Sequence, residues 1–189
     1  MKAVAITDHG NMFGVKIFYN EAKKDEILPI IGCEVYVARR GRHEKKDKHD
    51  GGGDHLILLA KNKNGYNNLI RLVSLGWTEG FYYKPRIDKE LLEKYHEDII
   101  ACTACLGGEI PQIIMNEGLE EGEKAILEYK RIFGEDFYLE LQRHKSEHEE
   151  MIEKVWKDQV YVNRTLLEMG KKHGIKCIAT NDVHFINRE

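Results

Sequence analysis

The chain has 189 residues, 42% apolar and 32% charged, with a formal net charge of −3; that is the make-up of a soluble globular protein with one real core, or at most two small ones. The slight acidity argues against a dedicated nucleic-acid or membrane binder, although local patches remain compatible with it. No run nears the roughly 20 apolar residues that span a bilayer and no leader pattern stands at the start, so a cytoplasmic protein without a membrane partner is expected.

In chain order, Ala3–Ile6 is the first apolar run of strand length, and Asp8-His9 comes after it. Met12–Lys24 has helical spacing and leads to a second strand, Leu28–Val37, which carries Glu34. Arg39 to Asp54 differs in kind: six Lys/Arg, two His, three consecutive glycines and no large apolar residue. Such a segment brings nothing to a core and is expected to be a mobile surface loop. It suits either a phosphate-contacting flap or a solvated insertion, and Glu44, Asp47, Asp50 and Asp54 favour the insertion by diluting its charge. His55 opens the next strand, His55–Ala60, and Tyr66–Leu75 is helical. Phe81-Tyr82-Tyr83-Lys84-Pro85-Arg86 is a second odd segment, with aromatics that could stack on bases and cations that could meet phosphates. The commoner role of such a cluster is to pack a loop onto its own domain.

Ile99–Ala101 is the next strand, followed by Cys102-Thr103-Ala104-Cys105. A lone pair of this spacing is a weak redox or zinc signal, and the four cysteines (Cys33, Cys102, Cys105, Cys177) read as reduced thiols beside apolar segments. Leu119–Phe133 is helical, Phe137–Leu141 is a strand with His144 shortly after it, and Glu149–His173 is a helix stopped by Lys172-His173-Gly174. Ile175–Ala179 is the last strand, and Asp182-Val183-His184 closes it. Strands alternating with helices argue for one domain over residues 1–189 built on a parallel sheet or an α/β barrel.

Donor side chains recur near strand ends, where α/β folds place their chemistry: His9, Glu34, His55, Cys105, His144, Asp182 and His184. Asp182 and His184, two apart on extended chain, would aim a carboxylate and an imidazole at one ion. Nitrogen, oxygen and sulfur donors together suit zinc, manganese or iron better than magnesium or calcium. Such a cluster polarises phosphoryl groups and generates hydroxide, which makes phosphoester hydrolysis the natural reaction class. Each residue alone has a duller explanation, as a cap, an ion-pair partner or a hydrogen-bonded histidine. His43, His49, His96, His148 and His173 sit in polar or helical surroundings and read as surface residues.

Several strings carry a resemblance: Ala3–Met12, Pro29–Val37, Gly80–Asp88, Leu139–Gln142 and Ala179–His184. Over nearly the whole chain they resemble the polymerase-and-histidinol-phosphatase (PHP) domain of bacterial replicative DNA polymerase III alpha subunits. The resemblance implies a distorted (β/α)7 barrel holding up to three divalent metals at the C-terminal ends of its strands. Motif by motif, it implies His9, Glu34, His55, Cys105, Asp182 and His184 as metal ligands, with Asp8 orienting ligands from behind and His144 beside them. In a complete site Asp182 or Glu34 would steer the proton of the attacking water.

The family pattern opens with a His-x-His strand, and no such pair occurs in these 189 residues. A fragment lacking its first barrel strand, and the polymerase domains downstream, is therefore expected. Its implied role is to support a polymerase on DNA and to contact a proofreading exonuclease and other replisome subunits. Metal-dependent phosphoesterase or 3′–5′ exonuclease activity would be impaired here. A stand-alone histidinol-phosphatase-like phosphomonoesterase and a non-catalytic scaffold docking a proofreading subunit are the alternatives.

Overall fold

Short apolar runs bounded by glycine or polar turns form the strands, and amphipathic runs between them form the helices. The structure, a computed structural model, describes residues 1–48, 50–144 and 150–184. In chain order it has β1 (Ala3–Ile6), α1 (Val15–Lys24), β2 (Leu28–Val37), β3 (Asp54–Ala60), α2 (Lys63–Thr78), β4 (Arg86–Ile87) and α3 (Lys89–Tyr95). After these come β5 (Ile99–Cys102), α4 (Glu109–Asn116), α5 (Leu119–Phe133), β6 (Phe137–Gln142), α6 (Glu150–His173) and β7 (Lys176–Thr180). The expected elements are all there; β4, α3 and α4 are additional, each too short to show a period in sequence.

The strands form one sheet in the order β1-β2-β3-β5-β6-β7, with β4 beside the end of β2. β1 and β2, β5 and β6, and β6 and β7 pair in parallel, each pair joined through helices. β3 runs antiparallel to both β2 and β5, so of the two architectures expected, a parallel sheet or an α/β barrel, the all-parallel sheet is ruled out. The reason is the connection: a polar loop brings the chain straight back from β2, with no crossover helix to reset its direction. The sheet curls into an α/β half-barrel whose two end strands, β1 and β7, line the same concave cavity. Among the described residues β1 and β7 do not pair with each other, so the barrel curvature is present and the barrel is open.

Alternation along the strands sorts the two faces. Val35, Val37, Leu56, Leu58, Ala101, Phe137 and Leu139 turn away from the cavity and are buried with Leu69, Leu72, Leu92, Ile126 and Leu166 from the helices. Each such side chain contributes roughly 1.5–3 kcal/mol of burial. Ile57, Leu59, Cys102, Glu140, Ile178 and Thr180 face the cavity instead. The close pairing of β2 and β3 depends on Gly32, where a Cβ would come within 2.6 Å of the Leu58 carbonyl oxygen. Helix α6 ends as expected, with Gly174 at φ +64° and Lys171, Lys172 and His173 in its last turn.

Segment 39–54 is tied down by polar groups rather than apolar ones. Arg39 pairs with Asp54 at 2.5 Å, and Arg40 with Asp50 at 2.6 Å and Asp47 at 3.0 Å. Arg42 meets both oxygens of Asp88 at 3.0 Å, and Asp88 also caps α3 through the Leu91 N–H. Arg86, only 1% exposed, sits beneath the loop and donates to the carbonyls of Gly80, Arg42, Glu44 and Asp50. Around it, Lys84 stands 4.2 Å from the Tyr36 ring centre and Arg86 packs on Tyr82. No helix among the described residues is long and apolar enough to cross a membrane.

Candidate metal centre

Parallel strands deliver the residues just beyond their C-terminal ends to one rim of the half-barrel. His9 comes after β1, Cys105 after β5, His144 after β6, and Asp182 and His184 after β7. β3 runs the other way, so its first residues, not its last, reach that rim, and His55 is there for that reason. Glu34 lies diagonally across from it: Tyr36 is opposite His55 and Glu34 opposite Ile57, so all four share one face.

Glu34 is the centre of the group. It is 3% exposed, and its Oε1 stands 3.3 Å from His9 Nε2 and 2.5 Å from His55 Nδ1. Neither contact has full hydrogen-bond geometry, so the oxygen is held by its ion pair with His55 and the close approach of His9. The backbone holds His9 in place, with Gly10 N–H donating to the Glu34 carbonyl at 2.8 Å and Glu34 N–H to that of Asp8 at 3.1 Å. The Cys105 Sγ lies 3.5 Å from His55 Nδ1 and accepts the Gly107 N–H at 3.3 Å. The Cys105 loop is strapped to β3 by His55 N–H on the Gly107 carbonyl at 3.0 Å; at Gly108 a Cβ would come within 2.2 Å of the Thr103 carbonyl oxygen. The Cys105 sulfur and the Glu34 carboxylate raise the His55 imidazole to about 10.

The second cluster approaches from β7. The His184 ring is 5.4 Å from that of His9, centre to centre, and both Asp182 and His184 line the cavity of about 640 Å³. Their arrangement corrects the extended-strand expectation. β7 ends at Thr180, Asp182 has φ +49°, and His184 Nδ1 is bonded to the Asp182 carbonyl at 2.9 Å. The carboxylate and imidazole therefore reach the cavity through a turn, which an Asp tolerates in the left-handed region. Asp8 lines the same cavity, its carboxylate near Gly14 at the start of α1.

His144 does something different. Its Nε2–H donates to the Asn181 carbonyl at 2.7 Å, while Gln159 Nε2 donates to its Nδ1 at 2.8 Å and Gln159 Oε1 accepts its backbone N–H. Both ring nitrogens are engaged, and the residue positions the segment leading to Asp182. Of the five histidines expected at the surface, His43 is exposed, while His96, bonded to the Glu93 carbonyl, and His173, paired with Glu123, are half-buried; His49 and His148 lie outside the described residues.

Glu140 escapes a reading of the sequence alone. It is buried at the cavity floor, where its carboxylate accepts the Ala104 N–H, the Gln142 amide and the Thr180 hydroxyl. Burial raises its carboxyl above the usual range. The signal that could find it is an acid inside the apolar strand Phe137–Gln142. Cys102 beside it is an inert thiol, pushed up to about 12 by burial, as is Cys33.

Among the described residues no three donors converge on a single point at ligand distances. The donor set still fits a divalent ion: imidazole, carboxylate and thiol are gathered at one rim, around a buried carboxylate oxygen that only the His9 and His55 ring nitrogens approach.

The family model described as PHP domain matches residues 1–144. A DNA polymerase III subunit alpha of Borreliella burgdorferi is 48% identical over 190 residues, covering 100% of this chain and 16% of that protein. Those of Chlamydia trachomatis and Thermus aquaticus are 45% and 43% identical, covering 98% and 99% of this chain and 16% and 15% of theirs. The chain thus spans about a sixth of the length of the curated relatives it matches. It belongs to the PHP domain family.

Proposed function

We propose that this chain is the PHP portion of a DNA polymerase III alpha subunit and carries a divalent-metal phosphoesterase site at its half-barrel rim. The observation that carries the reading is the buried Glu34 Oε1, set between the His9 and His55 ring nitrogens while Cys105, Asp182 and His184 stand around them. His9, Glu34, His55, Cys105, Asp182 and His184 would hold zinc, manganese or iron. When bound, such ions polarise a phosphoryl oxygen and supply hydroxide near neutral pH.

The chain's own residues do the rest. Glu34 lies deepest and fixes the two imidazoles, and the Gly107–Gly108 turn keeps Cys105 against His55. Asp182, on the cavity wall, is placed to take a proton from an attacking water. Glu140 holds Thr180 and Ala104 so that the strands after which Asp182 and Cys105 emerge stay in register. The substrate is a terminal phosphodiester of DNA, with 3′–5′ exonuclease activity as the reaction. The relatives' name, DNA polymerase III subunit alpha, supports a setting beside DNA; a cytoplasmic location and contacts with other replisome subunits, a proofreading exonuclease among them, belong to the same proposal. The six donors would hold about one or two ions, and turnover by the 189-residue chain is weak, since it has no His-x-His pair.

Metal content by mass spectrometry after manganese or zinc loading tests the reading. Tightly held metal in the wild-type chain, reduced in His184→Ala, is expected. A wild-type chain that emerges from loading without metal would sink it.

A further inference from the structure

We propose that Glu109, gripped by Lys89 and Tyr129, is a positioning residue for the Cys105 sulfur and so makes the metal centre prefer ions that bind sulfur well. The proposal rests on the phosphoesterase reading and names what tunes that site. Glu109 opens α4, four residues after Cys105, and is 7% exposed. Its Oε1 accepts the Lys89 ammonium at 2.7 Å and its Oε2 the Tyr129 hydroxyl at 2.7 Å. Lys89 is the first residue of α3 and also meets Glu128 of α5 at 2.6 Å. Tyr129, itself buried, stacks on Phe137 of β6 at 5.7 Å. One buried carboxylate therefore ties the start of α4 to α3 and α5. The helix does not depend on it for burial, because Ile110 and Ile114 already lie in the core. Apolar contact is non-directional, whereas a carboxylate with each oxygen held by a fixed donor sets a position.

The chain between Glu109 and Cys105 has little slack. Gly108 N–H donates to the Cys105 carbonyl at 2.9 Å, and Gln112 of α4 reaches back to the Leu106 carbonyl at 2.6 Å. On the other side of the sulfur, Ala104 has φ +60° and its N–H is held by Glu140. Cys105 thus stands between two buried carboxylates, Glu140 before it and Glu109 after it, and its Sγ is 3.5 Å from His55 Nδ1. Ligand distances in a metal site hold to about 0.2 Å. Glu34 and His55 stand on paired strands, but Cys105 stands on a turn, so a loosened turn removes the sulfur first. Sulfur is the donor that separates zinc and cobalt from manganese, which favours oxygen. Loss of the Glu109 grip should therefore change which ion the centre prefers.

The test is titration of the 189-residue chain with cobalt(II), read by the near-ultraviolet sulfur-to-cobalt charge-transfer band. Zinc and manganese affinities come from chelator competition, and hydrogen exchange across 103–109 is followed in EDTA. Tyr129→Phe removes one hydroxyl from a packed ring, and Lys89→Met removes the cation. Each should weaken the band, lower zinc affinity about 10- to 100-fold, affect manganese much less and deprotect the 103–109 turn. Lys89→Arg should keep the band. Lys89→Met combined with Glu109→Leu puts an apolar pair in place of the ion pair. It should regain the thermal stability lost in Lys89→Met without regaining the band, which separates positioning from stability. A band and a zinc-to-manganese preference unchanged in Tyr129→Phe and Lys89→Met overturn the proposal. Equal losses of zinc and manganese affinity do the same, as does a double variant that recovers the band. The exchange arm separates the two readings. A wild-type chain that takes up no metal ends the metal reading and the preference drawn from it, whereas an unaltered turn in the variants overturns the positioning of Cys105 whatever the metal result.

Discussion

Two polar clusters lie at neighbouring ends of β2 and β3, and they are built on opposite rules. Under segment 39–54 the buried charges of Arg42, Asp88 and Arg86 are matched by charges or carbonyls. At the rim, Glu34 is as deeply buried yet its inner oxygen meets only the ring nitrogens of two partly exposed histidines, groups that a metal ion would claim. A saturated network is a fastener, because its members have nothing left to offer a ligand. An unsaturated one costs stability and persists only where something else completes it. Variants in the first region should therefore change stability and spare metal binding, and variants in the second should do the reverse.

The largest effect is expected from Arg86→Met. It strands four carbonyl groups and the loop above them, and a loss of about 3–5 kcal/mol in urea unfolding is the expected result of breaking a buried charged network. A loss under about 1 kcal/mol would show that the loop is held by other means. Glu34→Gln is next. Metal affinity should fall by more than the roughly 100-fold seen for outer-sphere changes, measured by competition with a chromogenic chelator. Metal-free stability should fall by less than in Arg86→Met, because Glu34 shares the holding of the His55 proton with Cys105. Equal losses in both regions would break the comparison.

The pH dependence sharpens it. The folded His55 imidazole is raised to about 10, above its ordinary 6.5, by the Cys105 sulfur and the Glu34 carboxylate. Stabilisation from its proton is complete below the unfolded value and is lost as pH climbs through the folded one. The urea midpoint of metal-free protein should thus decline between about 6.5 and about 10 relative to His55→Gln. A bound metal needs the neutral ring, so manganese binding should release a proton and tighten as pH rises. Titration calorimetry in buffers of differing ionisation enthalpy reads that proton; none released would contradict the placement of His55.

The range of each interaction decides how much of this is legible in the sequence. The strands and α1, α2, α5 and α6 announce themselves through local periodicity, and six donors can be picked because each lies just after, within or at the start of an apolar run. The direction of β3 is not legible, since nothing in His55–Ala60 encodes it; only the link from β2, polar and without helix among its described residues, hints at it. Segment 39–54 reads as unanchored because composition shows what a segment lacks. Its anchors, Asp88 and Arg86, lie more than 30 residues downstream. The turn at Asp182 reads as strand because apolar alternation runs to Ala179 and no glycine or proline marks the change. Glu140 passes for an ordinary strand residue, although an acid between Leu139 and Leu141 must have partners if it is buried.

His144 is where the two rules meet, and it gives the smallest effect. Its ring is saturated, by Gln159 on one nitrogen and the Asn181 carbonyl on the other, yet the segment it holds carries Asp182 and His184. If saturation marks a fastener, His144→Phe should leave one or more ions bound, with affinity lower by about 10-fold, as for groups that orient ligands. His144→Gln, which can still donate to Asn181, should recover part of that loss. A metal ligand would behave otherwise: neither substitution would be tolerated, and the drop would match that of His184→Ala. Comparing the three variants in one chelator competition therefore decides whether His144 belongs to the centre or to its frame.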